Sequence, residues 1–352
     1  MLPTRKKLLA LAAALALVVF SYPLRKPFAK RQKWFLIATN MGMDSLRRAG
    51  WQSGQIGQPA VLNPPESGLA REVDRTREIY ANYLRYAGWD KRQVAGKRIL
   101  ELGPGAHMGV PLLFAAGGAS YVAGLDKFVP LQTGSYFRTF YARLRDTLGS
   151  AEKVNFDRAI RLEPKIELRP AQAQYIYGKE LSDSIGELGP GSYDLISSNA
   201  VIEEMYDPAP LFQAQDRLLR PGGAMVHKID LRDYGMFTKY DFPALEFLTV
   251  PEWAYRRMAE ASGQPNRLRV NTYRDLMERL GYTYRVYVTW LMGVDHEIVP
   301  AKEDVRPEVD YPNTSLRMIR NIRPRLAAPF REVSDTDLVI LGIYLVGRKP
   351  GA

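Results

Sequence analysis

Two carboxylates and a glycine turn are the groups in this chain best spaced for chemistry. They lie in Arg98–Phe128, R-I-L-E-L-G-P-G-A-H-M-G-V-P-L-L-F-A-A-G-G-A-S-Y-V-A-G-L-D-K-F. Glu101 precedes the turn Gly103-Pro104-Gly105, and Asp126 stands 23 residues beyond Gly103. Glycine accepts the tight backbone of such a turn and lets a ligand approach the main chain closely. An acid ~20 residues further on is spaced to bond the hydroxyls of a ribose. A dinucleotide fingerprint wants glycine at position 108, where this chain has Met108. The segment reads as a nucleoside site that departs from the dinucleotide pattern.

A second group is H-K-I-D-L-R-D, His227–Asp233, which closes the apolar run Ala224–Ile229. Histidine titrates near neutrality, so His227 and Asp230 are candidates for a base that takes a proton from a hydroxyl nucleophile. The alternatives are a hydrogen-bonded histidine at a strand end and an aspartate that orients the ring or caps a turn. Glu203 and Glu204 follow another apolar run, Ser192–Ser198. They either face the same pocket or begin a solvated helix. His107, inside the glycine turn, reads as a cofactor or solvent contact. The chain has no cysteine and three widely spaced histidines. Thiolate chemistry, disulfides and zinc–cysteine sites are excluded, and no metal site is expected.

The elements that must position these groups follow from the apolar pattern. Strands are expected at 98–102, 121–125, 165–169, 193–198, 223–229, 283–290 and 338–346. Helices are expected at Glu72–Tyr86, Val110–Ala116, Leu211–Leu219 and Tyr273–Leu280, with Tyr80 and Tyr83 on one side of the first. This alternation predicts an α/β fold with a parallel sheet and right-handed crossovers. Two long insertions, 232–270 and 292–337, are expected as lids near the carboxyl ends of the strands. The first is rich in aromatic residues. Asn266-Arg267-x-Arg269 and the row Arg317, Arg320, Arg323 are candidates for binding an anionic group, the row being alternatively a solvated or lipid-facing basic surface. Tyr175-x-x-x-Lys179 imitates the tyrosine–lysine pair of short-chain dehydrogenases. It comes too early in the chain for that role and is read as chance.

The pattern E-L-G-P-G resembles the first motif of class I S-adenosylmethionine (SAM) methyltransferases. N-A-V-I-E-E-M-Y-D-P (Asn199–Pro208) and R-P-G-G (Arg220–Gly223) resemble the later motifs of that family, with Glu204 where histidine is common. The segments 227–233 and 323–349 are similar to uncharacterised methyltransferases of bacterial polysaccharide loci. The resemblance covers about 68–349. It implies a Rossmann-like, seven-stranded, mostly parallel sheet with helices on both faces, and SAM as cofactor. It further implies that Glu101 positions the methionine end, Gly103 and Gly105 underlie the cofactor, Asp126 binds the ribose, and Asn199 is a further contact.

The formal net charge is +11, and residues 1–33 carry eight basic residues and no acid, leaving +3 for the rest. This places the basic excess at the amino terminus and argues against nucleic acid as a partner. Leu8–Leu24 is uncharged over 17 residues, flanked by basic clusters. As a helix it would span roughly 25 Å, near the ~30 Å hydrocarbon core. The expected organisation is a hydrophobic, basic membrane anchor at 1–37, a linker at 38–67 and a methyltransferase domain at 68–350. The heavier basic flank follows the apolar run, which predicts a cytoplasmic catalytic domain on the cytoplasmic membrane. The expected reaction is O-methylation of a glycan or glycolipid precursor. A lipid or quinone methyltransferase and a non-catalytic assembly protein of the same fold are the alternatives.

Overall fold

The computed structural model describes residues 26, 30, 32–48, 66–261 and 263–351. The expected anchor segment Leu8–Leu24 and the stretch 49–65 lie outside these residues. Among the described residues, no helix is long and apolar enough to cross a membrane.

Short apolar runs form the main sheet, buried on both sides in its centre and partly exposed at the edge strands. Its strands are β1 (Arg98–Leu102), β2 (Tyr121–Asp126), β5 (Ala173–Tyr177), β6 (Tyr193–Asn199), β7 (Leu219–Asp230), β8 (Thr283–Leu291) and β9 (Ile340–Arg348). A separate two-stranded piece pairs β3 (Ile160–Arg161) with β4 (Glu167–Leu168). The sheet order is β5-β2-β1-β6-β7-β9-β8, with β9 antiparallel to both neighbours and the other pairings parallel.

The third strand expected at 165–169 is corrected. Lys165 and Glu167 are exposed and stay in the β3–β4 piece, while Ala173 and Ile176 are buried and β5 takes the sheet edge. The last strand starts at Ile340 rather than Leu338. Ser334 caps a short helix over Asp335–Val339 by accepting from the Asp337 N–H.

Alternation along each strand divides the core in two. In β1, Leu100 and Leu102 pack on one face and Ile99 on the other. Helices α1 (Lys33–Arg48), α2 (Leu69–Ala87), α3 (Gly109–Ala116), α4 (Ser135–Asp146) and α5 (Ser150–Ala159) come first in the chain. Of these, α2 to α5 share the Ile99 face. Then follow α6 (Leu181–Leu188), α7 (Ala209–Leu218), α8 (Glu252–Ala259), α9 (Val270–Arg279) and α10 (Asn313–Ile322), which pack on the Leu100 face. From β1 the sheet grows toward β2, and from β6 toward β7. A crevice opens at the carboxyl ends of such a switch point.

The division at residue 37 is also corrected. Residues 33–48 form one helix whose Leu36, Ile37, Asn40 and Asp44 are buried, and it docks along α8. The first part of the expected linker is therefore packed structure. Phe237, Tyr240, Phe247 and Tyr255 of the first insertion are buried, so this insertion is built into the core.

Candidate active site

β1 ends at Leu102, and the chain turns through Gly103 (φ 63°) and Gly105 (φ 73°). The Gly103 N–H donates to the Leu125 carbonyl at 2.8 Å. A side chain there would collide with Val201 after β6, so the two strand ends close on each other. At Gly105 a Cβ would meet nothing within 4 Å, so this part of the turn faces open space. The Gly105 N–H donates to Asp126 Oδ2 at 3.2 Å, and Asp126 Oδ1 accepts from the N–H groups of Phe128 and Val129 at 2.8 Å each. The carboxylate is thus held at the lip of the crevice.

Three residues that sequence reasoning missed or misread support the turn. The Tyr175 hydroxyl lies 2.7 Å from the Gly105 carbonyl oxygen and bridges to that of Val129. The dehydrogenase imitation is thereby explained away, since Lys179 pairs with Glu187 instead. Tyr141 accepts from the Met108 N–H at 2.9 Å. His107, expected to face cofactor or solvent, accepts from the Gly109 N–H through Nδ1 at 3.1 Å. Its Nε2 then donates to Glu72 at 3.1 Å and ties α2 to the turn.

Glu101 is buried, and its Oε1 accepts from the Tyr83 hydroxyl at 3.3 Å. Its Oε2 is buried with no partner. Burial pushes this carboxyl up to about 8, against the pull of the Tyr83 bond. An orphaned acidic oxygen next to an open glycine turn is a cradle for a cationic group. Asn199 closes β6 two residues beyond Ser197, the register partner of Glu101, and the next residue, Ala200, takes a left-handed conformation (φ 57°).

The candidate bases separate. His227 is fully buried; its Nδ1 lies 2.8 Å from Ser198 Oγ, and its ring meets Phe212 of α7 edge-on. Burial pushes it down to about 3. Residues three apart on a strand point to opposite faces, so Asp230 cannot orient this ring. Asp230 instead holds Arg232, with 2.6 Å between Oδ2 and Nη2, and Arg232 lies 4.4 Å over the Trp290 ring. Glu203 is fully buried, and its Oε1 accepts from the Asp230 N–H and the Tyr234 hydroxyl, both at 2.9 Å. Burial pushes Glu203 up to about 8. The expected base roles of His227, Asp230 and Glu203 are therefore corrected: one ring is sealed, one carboxylate is paired and one is enclosed. Glu204 behaves differently. Its side chain is exposed, and desolvation by the surrounding protein, with the Asp126 charge next, pushes it up to about 7.

Of the arginines expected to bind anions, Arg267, Arg269 and Arg323 are structural. Arg267 is buried between Tyr255 and Phe330 and pairs with Glu252. Arg269 donates to the carbonyls of Leu231, Asp337 and Ile340. Arg323 leaves the expected row to hold the Arg331 and Val333 carbonyls and Asp335, while Arg317 and Arg320 stay exposed.

The switch-point crevice, the glycine turn and the two acids Glu101 and Asp126 define a nucleoside-binding α/β fold. A family model described as a methyltransferase domain matches residues 71–286. The chain belongs to this methyltransferase family, and its cofactor is S-adenosylmethionine. No curated protein matches the sequence. Among solved structures it is similar to an S-adenosylmethionine-dependent methyltransferase of Mesorhizobium loti, with 16% identity over 73% of this chain and 92% of that one, TM-score 0.35. It is similar to phosphoethanolamine N-methyltransferase 2 of Haemonchus contortus, with 15% identity over 73% of this chain and 49% of that one, TM-score 0.35. It is also similar to geranyl diphosphate C-methyltransferase of Streptomyces coelicolor, with 14% identity over 84% and 88% of the two chains, TM-score 0.39.

Proposed function

We propose that this enzyme methylates a hydroxyl of a glycan or glycolipid precursor at the cytoplasmic face of the cytoplasmic membrane. In this reading Glu101, Gly103, Gly105, Asp126 and Asn199 hold the cofactor. Glu101 Oε2 takes the methionine ammonium, Asp126 the ribose hydroxyls, and the turn at Gly105 admits the ligand to the main chain. The bound cofactor supplies a methyl carbon on a positively charged sulfur. The chain's own task is to hold the acceptor hydroxyl in line with that carbon and to remove its proton. Glu204 is the base in this reading. It opens to the mouth, and a carboxylate near 7 is matched to a proton transfer at neutral pH. Glu203 then acts from behind, keeping the loop after β6 and the end of β7 in register.

The observation that carries the membrane-borne acceptor is the joint at Glu246. This buried carboxylate of the first insertion pairs with Lys33 of α1 at 3.1 Å and with Arg325 of the second insertion at 3.3 Å. The helix that follows the uncharged amino-terminal run is thereby clamped to both insertions. A lipid or quinone acceptor draws support from the same joint. Membranes bearing the enzyme, given cofactor with an isotopically labelled methyl group, should place label in glycan-bearing lipid. Label confined to quinone or phospholipid would sink the glycan reading.

A further inference from the structure

We propose that the amino-terminal ends of α1 and α8, with α10, form a face that lies on an anionic lipid bilayer and leads a lipid-borne acceptor to the mouth beside Asp230. This rests on the membrane reading above and gives it an orientation. α1 and α8 run parallel. Lys33 pairs with Glu246 ahead of α8, while Asp44 accepts from the Ala261 N–H and Arg48 pairs with Glu260 at its other end. Their first turns therefore lie at one end of the helix pair. Trp34 on α1 is 61% exposed and Trp253 on α8 is 63% exposed. Indole rings favour the bilayer interface, where the ring sheds water and the N–H keeps it.

The chain enters α1 from the uncharged run Leu8–Leu24, with eight residues between. Eight residues span at most about 28 Å, so Trp34 stands near wherever that run is held. Arg325 shares Glu246 with Lys33, which brings the carboxyl end of α10 to the same place. From Tyr311 to Arg331 the chain has five arginines and no acid. Arg317 and Arg320 are exposed, with exposed Met318 between them. Basic side chains with interleaved apolar groups complement an anionic lipid surface. The insertion bearing Trp253 starts at Arg232 and returns at Asn266, whose N–H donates to the Glu203 carbonyl. Trp253 lies midway along a packed segment whose two ends, Arg232 and Asn266, adjoin Asp230 and Glu203.

The chain has no cysteine, so single introduced cysteines report cleanly. Full-length protein carries an environment-sensitive fluorophore at Trp34→Cys, at Trp253→Cys or, as a control, at exposed Val154→Cys on α5. Each variant is first shown to bind cofactor. On phosphatidylglycerol vesicles with brominated acyl chains, we expect a blue shift and loss of emission at 34 and 253, and neither at 154. Unchanged emission at 253 in protein that floats with the vesicles overturns the orientation and leaves the anchor standing. Protein that does not float overturns both. Shielding of 253 from an aqueous quencher, without quenching by the acyl chains, assigns the face to a protein partner and overturns the proposal.

Discussion

Glu203 Oε1 accepts a hydrogen bond from the Asp230 N–H at 2.9 Å, joining the loop after β6 to the end of β7. The same oxygen accepts from Tyr234, so one enclosed carboxyl group ties two parallel strands and the first insertion together. Glu203→Gln keeps an accepting oxygen for both donors. Glu203→Ala strands both, and each buried orphan costs about 1–3 kcal/mol. Thermal melts should show the alanine variant well below the glutamine variant.

Burial holds Glu101 and Glu203 up at about 8, against an ordinary value near 4.5. Between those values the folded chain keeps protons that the unfolded chain has lost. Stability therefore falls as pH rises through this window. The apparent melting temperature should drop from pH 5 to pH 8, and Glu203→Gln should flatten the slope. A stability that instead rises over this range would overturn the assignment of neutral, buried acids.

Cofactor affinity should move the opposite way. A cation against Glu101 Oε2 requires the ionised form, so binding below about pH 8 expels a proton. Affinity should rise with pH by up to ~tenfold per unit. Calorimetry in buffers of different ionisation enthalpy would count that proton, and Glu101→Gln should release none.

Asp126→Ala should weaken cofactor binding by roughly 1.5–3 kcal/mol, the scale of charge-assisted hydrogen bonds. The variant also frees the N–H groups of Gly105, Phe128 and Val129. A fall in melting temperature should therefore accompany the weaker binding. Unchanged affinity by calorimetry would remove Asp126 from the cofactor site.

Glu204→Gln should lower turnover by ~10²–10⁴-fold with cofactor affinity nearly intact. Wild-type activity should fall as pH drops below about 7, where Glu204 becomes protonated. His227→Ala should lose stability through its vacated site and the orphaned Ser198 hydroxyl, yet keep that pH limb. A limb that vanishes with His227 and survives in Glu204→Gln would reverse the two roles.

Deleting residues 1–31 leaves α1 and its Lys33–Glu246 pair in place. The truncated enzyme should appear folded and active in the soluble fraction. Truncated protein that folds yet stays in the membrane pellet would show that residues 8–24 are not what holds it there.

The β-α-β unit at Arg98–Phe128 was legible in the sequence because its information is local. Glu101, Gly103, Gly105 and Asp126 are fixed by short apolar runs and a turn, and the parallel crossover from β1 to β2 carries them to one edge of the sheet. The nearest misjudgements came where exposure depends on what packs on top. His227 has the chemistry of a base, but Phe212 of α7 covers it. Glu203 and Glu204 are adjacent and identical in type. The close of β7 and Tyr234 enclose the first, while the second is left at the mouth. Arg267 and Arg269 look like an anion site in one dimension, and in three they stack on rings or satisfy main-chain carbonyls. The docking of α1 on α8 joins residues more than 200 positions apart. Spacing along the chain decides which residues share a strand edge or a helix face. Only packing decides which face meets solvent, and a side chain's pKa and reach follow from that.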